Sequence, residues 1–272
     1  MSAYLDHFGL KSEPFSKEID DDKLWLPESK REVVEELVTC VQERKHAVVT
    51  GEPGVGKTCV LRALRHSLGT NQAFRLTYCH NVTLGRRDFY RHLCHCLGIA
   101  YGATAGDVFL AVNKHVEELS RERALPVLLV DEAHLLHQDT LDHLHILLNY
   151  SWDSRALLSL ILVGLPDLED RLSMRRNRSL HSRLHYRLTI EPLSPEDTAE
   201  YIRARLSAVG VSKELFTSDA IAILHEAAFG SLRDIDRVAH KALRMSSRRR
   251  RKLVERDVIQ AIVQADNYGA GP

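Results

Sequence analysis

Residues 47–58 read AVVTGEPGVGKT. Gly51, Gly56, Lys57 and Thr58 fall at the spacing G-x-x-x-x-G-K-T, behind a short apolar run at 46–50 and ahead of helical periodicity over 59–68. Glycines let successive backbone N–H groups turn inward, and the start of the following helix adds partial positive charge. That combination suits the oxygens of a nucleoside triphosphate. The expected binding loop is therefore Gly51, Glu52, Pro53, Gly54, Val55, Gly56, Lys57, Thr58 and Cys59. Lys57 is expected at the β- and γ-phosphates, and the Thr58 hydroxyl on a Mg2+ ion.

A second acidic stretch, LLVDEAH, follows an apolar run at 126–130. It puts Asp131 and Glu132 at the end of a buried strand. Asp131 is placed to hold the magnesium shell, and Glu132 to polarise an attacking water. The plainer reading of such a pair is capping of the next helix. With the glycine loop upstream, the two stretches together predict ATP hydrolysis, with ATP and Mg2+ as cofactors.

These residues need a scaffold that brings strand ends together. Strand-like runs at 46–50, 73–78, 126–130, 157–163 and 185–190 alternate with helical patterns at 28–44, 59–68, 86–97, 104–122 and 138–150. This alternation predicts an α/β domain with a mostly parallel sheet. After Pro192 the pattern changes. LSPEDTAEYI offers Ser194 as an N-cap and Pro195 in the first turn, and helices fit 195–209, 217–228, 232–246 and 254–265. Residues 1–27 read as irregular. The expected organisation is an N-terminal strap over 1–27, a nucleotide-binding α/β domain over 28–192 and a helical lid over 193–272.

Composition bounds the partners. The 272 residues are 44% apolar and 27% charged, and 37 Lys+Arg balance 37 Asp+Glu. Any basic surface must be local. The longest apolar run, 156–165, is too short to span a membrane, and no leader pattern opens the chain. A cytoplasmic protein with no membrane contact is expected. The five cysteines, Cys40, Cys59, Cys79, Cys94 and Cys96, read as free thiols. His92, Cys94, His95 and Cys96 lie close in sequence. On a helix only His92 and Cys96 share a face, and two ligands do not close a zinc site, so no metal is expected there.

On GEPGVGKT and VLLVDEA the chain resembles the AAA+ ATPases, over nearly its whole length. The resemblance implies the AAA+ P-loop NTPase fold, a parallel sheet sandwiched by helices with a small C-terminal all-helical lid. GSLRDIDRVAHKAL (230–243) resembles that family's lid motif, which makes Arg233 the expected sensor that reaches the γ-phosphate; the alternative is a surface arginine. The family completes its site with an arginine from a neighbouring subunit. In MRRNRSLHSRLHYRL, Arg183 is the first choice and Arg178 the second, against a solvated basic loop. A finger supplied in trans implies a homo-oligomer, ring or helical filament. The family places a polar sensor near position 165, where this chain has Leu165. A leucine cannot orient water, so slow basal hydrolysis is expected. Asn81 either restrains Glu132 or is an ordinary turn asparagine.

The opening YLDHFGLKSEPFS and the stretch ILVGLPDLEDRL are similar to the ATPase domain of ExeA/GspA-type proteins and of transposition regulators such as TnsC, MuB and IstB. Pro14 and Phe15 then pack near the adenine, or form an apolar strap on the sheet edge. The resemblance implies two roles. One is assembly on double-stranded DNA in the ATP state, without sequence preference, to recruit or activate a transposase. The other is a secretion-pathway ATPase, in which a membrane segment and a wall-binding domain follow; the sequence ends at Pro272 without either, which favours the first. Arg86, Arg87 and Arg91 are the expected DNA contacts, with the RRRRK run at 248–252 as a second cluster that could equally cap a helix C-terminus. A non-catalytic ATP-sensing scaffold and a metabolic kinase are weaker alternatives.

Overall fold

Apolar runs without alternation belong in strands covered on both faces, and three strands of this protein are of that kind. β1 (His46–Thr50), β3 (Leu125–Val130) and β4 (Ser159–Gly164) are buried at every position. β2 (Phe74–Cys79) and β5 (Leu184–Thr189) alternate buried and open positions, as sheet edges do. The strands form one sheet in the order β2-β3-β4-β1-β5, parallel throughout. The computed structural model describes residues 3–269 except positions 70, 81 and 153, and for residues 267–269 the backbone alone.

The chain divides into two units: residues 28–52 with 57–190, and residues 1–27 with 53–56 and 191–272. The first unit holds the sheet. Its helices are α2 (Glu28–Gln42), α3 (Lys57–Gly69), α4 (Arg86–Leu97), α5 (Ala105–Arg121), α6 (Gln138–Leu147), α7 (Asp167–Ser173) and the single turn α8 (Arg178–His181). One continuous core runs from Val48 through Phe89, Leu93, Val112, Leu128, Leu144 and Leu160. α5 starts at a capping box in which Thr104 and Asp107 exchange side-chain and backbone hydrogen bonds.

The second unit is helical. α9 (Pro195–Ala208) opens at the Ser194 capping box with Asp197, and Thr217 and Ser231 cap α10 (Ser218–Ala228) and α11 (Leu232–Arg248). α12 (Arg256–Gly269) closes the chain. Gly230 sits between α10 and α11 at φ +69°, where a Cβ would lie 2.4 Å from the Leu193 carbonyl oxygen. No side chain fits that approach, so the break before α11 requires glycine.

The N-terminal segment differs from the irregular strap its sequence suggests. It begins with α1 (Ala3–Phe8), and Tyr4, Leu5, Phe8, Leu10 and Phe15 all lie in the core of the helical unit. The Phe15 ring meets Phe216 edge-on at 6.3 Å and is 6% exposed, which leaves it neither on a sheet edge nor free to stack on a base. The buried guanidinium of Arg205 donates to the carbonyls of Pro14 (2.5 Å) and Ser16 (2.6 Å). Hydrogen bonds from a charged donor contribute about 1.5–3 kcal/mol each, enough to fix a segment with so little regular structure.

Beneath that clamp the Tyr201 hydroxyl donates to Asp236 Oδ1 at 2.6 Å. Burial pushes the Asp236 carboxyl up to about 6, against that hydrogen bond and the charges of Arg205 and Lys17. A carboxyl with a higher pKa in the folded state holds its proton more tightly there. Its contribution favours folding below the unfolded value of about 3.9 and is lost as pH rises through about 6. Asp236→Asn keeps the acceptor and removes the charge. Thermal melts are expected to show a higher Tm for the variant at about pH 8, with the gain vanishing as pH falls toward about 4; a pH-independent gain would contradict the assignment.

Candidate nucleotide site at the strand ends

In parallel α/β sheets, polar chemistry gathers at the carboxyl ends of the strands. The strand order here sets β4 between β3 and β1. The ends of β3, β4 and β1 lead into Asp131 and Glu132, Leu165, and Gly51 respectively. The pairing runs through Val130–Leu162 and Thr50–Gly164, and the Gly51 N–H donates to the Gly164 carbonyl at 3.2 Å. The glycine loop and the acid pair, far apart in sequence, are thereby held one strand apart.

Lys57 opens α3 and is 9% exposed. Its Nζ donates to the carbonyls of Gly51 (2.7 Å) and Glu52 (3.0 Å), so the ammonium is curled into the loop it follows. Gly54 and Gly56 have φ of +83° and +107°. A Cβ on Gly54 would lie 2.4 Å from Ser231 Oγ and 3.1 Å from Arg233 Cβ, and the Gly54 carbonyl accepts from the Arg233 N–H at 3.3 Å. The loop tip, residues 53–56, thus packs on the start of α11, with Arg233 exposed beside it. Val55 is buried, Thr58 is exposed on the first turn of α3, and Cys59 is half-buried.

Asp131 is 5% exposed and fully engaged. Its N–H donates to the Cys79 carbonyl (2.9 Å). Its Oδ1 accepts from the Glu132 N–H (2.9 Å) and its Oδ2 from the Tyr78 hydroxyl (2.7 Å). Each oxygen keeps a free lone pair, so the carboxylate is oriented and still able to accept. Burial, then the Asp131 carboxylate, pushes the Tyr78 phenol up, which keeps it a donor. The Thr58 hydroxyl and the Asp131 carboxylate are hard oxygen donors of the kind a Mg2+ ion takes.

Glu132 has left-handed backbone geometry (φ 54°, ψ 34°), rare for a residue with a side chain. Its carboxylate is half-exposed and lies 3.5 Å from His134 Nδ1. That nitrogen also faces the Leu165 N–H at 3.4 Å, and the Arg171 guanidinium holds the carbonyls of His134 and Leu136. His134 therefore lies between the end of β4 and Glu132. Tyr78 and His134 are the site residues missed in the sequence reading. Both stand beside a residue it identified, and the DEAH stretch already contains His134.

The arginines separate into engaged and open groups. Arg183, just before β5, is half-buried and donates to the Ser179 carbonyl at 3.0 Å, whereas Arg178 is exposed at the start of α8. Arg87 and Arg91 both donate to the Ala103 carbonyl (2.8 and 3.3 Å), and Arg91 also pairs with Asp88. They tie α4 to the loop before α5, and Arg86 is exposed on the first turn. In the run at 248–252, Arg249 and Arg251 pair with Asp257, and the Arg251 carbonyl meets His7 Nε2 at 2.8 Å. The expectation for Asn81 lies outside the described residues.

The chain is similar to known proteins. Residues 39–172 match the family model described as an AAA domain. The chain is 32% identical over 243 residues to the general secretion pathway protein A of Aeromonas hydrophila, covering 88% of this chain and 44% of that protein. It thus spans less than half the length of this relative. Among solved structures it is similar to Cdc6p from Pyrobaculum aerophilum (TM-score 0.72, 17% identity, covering 89% of this chain and 67% of that one). It is also similar to Drosophila ORC bound to DNA (TM-score 0.70, 23% identity, covering 96% and 65%). At such identities the likeness is one of fold. The fold is the AAA+ P-loop NTPase fold, a parallel sheet flanked by helices.

Proposed function

We propose that this protein is an ATPase that assembles on double-stranded DNA in its ATP-bound state and recruits or activates a transposase. The observation that carries the ATPase reading is the adjacency of a glycine loop with a buried lysine to an oriented Asp131 and a half-exposed Glu132 across β4. Mg2+ would be held by the Thr58 hydroxyl and Asp131, and would neutralise charge on the phosphates when bound. Lys57 exchanges its two carbonyl contacts for phosphate oxygens. Tyr78 keeps the Asp131 carboxylate turned. Glu132 orients the attacking water, with His134 beside it. Arg233, next to the loop tip, serves as the sensor of the γ-phosphate. An arginine from a neighbouring copy, Arg183 or the more open Arg178, would offset charge in the transition state, which makes the working form a homo-oligomer.

A general base of this kind accounts for about 10²–10⁴ in rate. Glu132→Gln is expected to lower turnover by at least about 10²-fold with ATP binding retained, and Lys57→Ala to lose ATP binding. Turnover and nucleotide-binding assays on purified protein check both; a Glu132→Gln enzyme at wild-type rate would remove Glu132 from this role.

Leu165 stands where a polar group would face the γ-phosphate, so basal hydrolysis should be slow and the ATP state long-lived. Leu165→Gln is expected to raise turnover; no increase under saturating ATP would refute this explanation.

For the DNA step, Arg86 supplies an exposed cation, and Arg87 and Arg91 sit on the same helix start. Arg86→Ala/Arg87→Ala is expected to weaken duplex binding uniformly across sequences. The slope of log K against log salt should fall by about 2, with ATP binding intact. Unchanged DNA affinity would exclude this surface.

A second reading, an ATPase of a secretion pathway, is favoured by the 32% identity to general secretion pathway protein A. Among the described residues no helix is long and apolar enough to cross a membrane. Hydrolysis indifferent to DNA would support this second reading.

A further inference from the structure

Cys79 closes β2, an edge strand of the sheet, and is fully buried. His92 and Cys96 lie one turn apart on the face of α4 that meets it. One ligand atom from each of the three lies within 4.8 Å of the other two. The Cys96 thiol is 3.5 Å from His92 Nε2, and the Cys79 and Cys96 thiols are hydrogen-bonded to each other. In a tetrahedral zinc site with ordinary bond lengths, sulfur and nitrogen ligands are about 3.6 Å apart and two sulfurs about 3.8 Å. Small side-chain rotations would bring all three atoms to those separations.

A buried cysteine is usually only a small apolar side chain, and Cys94 on the same helix fits that description, its thiol directed to the Val108 carbonyl at 3.7 Å. Cys79 and Cys96 differ because they point at each other and at an imidazole. A second imidazole is at hand. The His80 ring stands edge-on to His92 with centroids 5.9 Å apart, and Tyr78 stacks on its other side at 5.6 Å.

We propose that Cys79, His92 and Cys96, with His80 at the fourth position, form a zinc(II) site that ties the edge strand β2 to α4. Binding releases the two thiol protons to solvent and leaves two thiolates and two neutral imidazoles on the ion, a closed structural donor set. The tie would act next to the nucleotide site. The Cys79 carbonyl accepts the Asp131 N–H, and Tyr78, on the adjacent residue, holds the Asp131 carboxylate. The inference rests on ligand geometry alone and stands whether or not the DNA reading holds.

The test is metal analysis of the full chain purified under reducing conditions without chelator, followed by cobalt(II) titration of the metal-stripped protein. About one zinc per chain is expected, with thiolate-to-cobalt charge-transfer bands and the intense visible bands of a tetrahedral ion. Cys96→Ser and His92→Ala should each lower affinity more than about tenfold while helical content and ATP binding persist. His80→Ala should weaken binding and keep the charge-transfer bands; unchanged affinity would remove His80 from the site. Reduced wild-type protein that takes up neither metal overturns the proposal, even if the variants fail to fold. So does a Cys96→Ser variant that binds zinc as tightly as wild type.

Discussion

The site depends on the burial of β1, β3 and β4 on both faces. Strands enclosed in this way carry no Asp, Glu, Lys or Arg along their length, and the acid pair appears where the backbone of β3 leaves the sheet. Thr50 leads into Gly51, Val130 into Asp131, and Gly164 into Leu165, all at one end. The parallel ladder fixes the spacing of these exits, and the hydrogen bonds of Gly51 to Gly164 and of Asp131 to Cys79 extend it by one residue. Lys57 and the Asp131 carboxylate hold their positions because the backbone around them is already committed.

What the candidate nucleotide site shares with the rest of the molecule is dense use of backbone carbonyls by cationic side chains. Lys57 caps two carbonyls of its own loop, Arg171 holds the turn beyond Glu132, and Arg205 clamps the N-terminal segment. In the first case the proposed triphosphate would replace the carbonyls, because it offers the same lone pairs with full negative charge. In the others no exchange is available, and the arginine simply fixes the chain. Arg87 and Arg91 fall between: both use the Ala103 carbonyl yet remain near the surface. A phosphate backbone would compete with that carbonyl more easily than with the buried contacts of Arg205.

Much of this was legible in the sequence, for local reasons. The glycine loop and the acid pair are contiguous stretches whose meaning depends only on the strand before and the turn after. The first helix of the second unit announces itself through Ser194, an N-cap in the structure, whereas the caps Thr217 and Ser231 come from the structure. Long-range side-chain placement was not legible. Nothing local shows that Phe15 is destined for Phe216, or that Tyr78 reaches Asp131 across a strand pair. The fate of Cys79 is the clearest case. The sequence shows His92 and Cys96 on one helical face, and only the packing of α4 on β2 supplies a third ligand. The short helices α1, α7 and α8 escaped because runs of four to seven residues carry too little periodicity to register.

In the proposed function, nucleotide turnover at these strand ends serves assembly on DNA. The most direct measurement is the rate of ATP hydrolysis by the wild-type chain with and without duplex DNA, at low and moderate salt, with the same samples imaged by negative stain. Turnover stimulated by DNA, with rings or filaments along the duplex, is expected. Turnover indifferent to DNA, with no particles on it, would contradict the account and leave the secretion-type reading in its place.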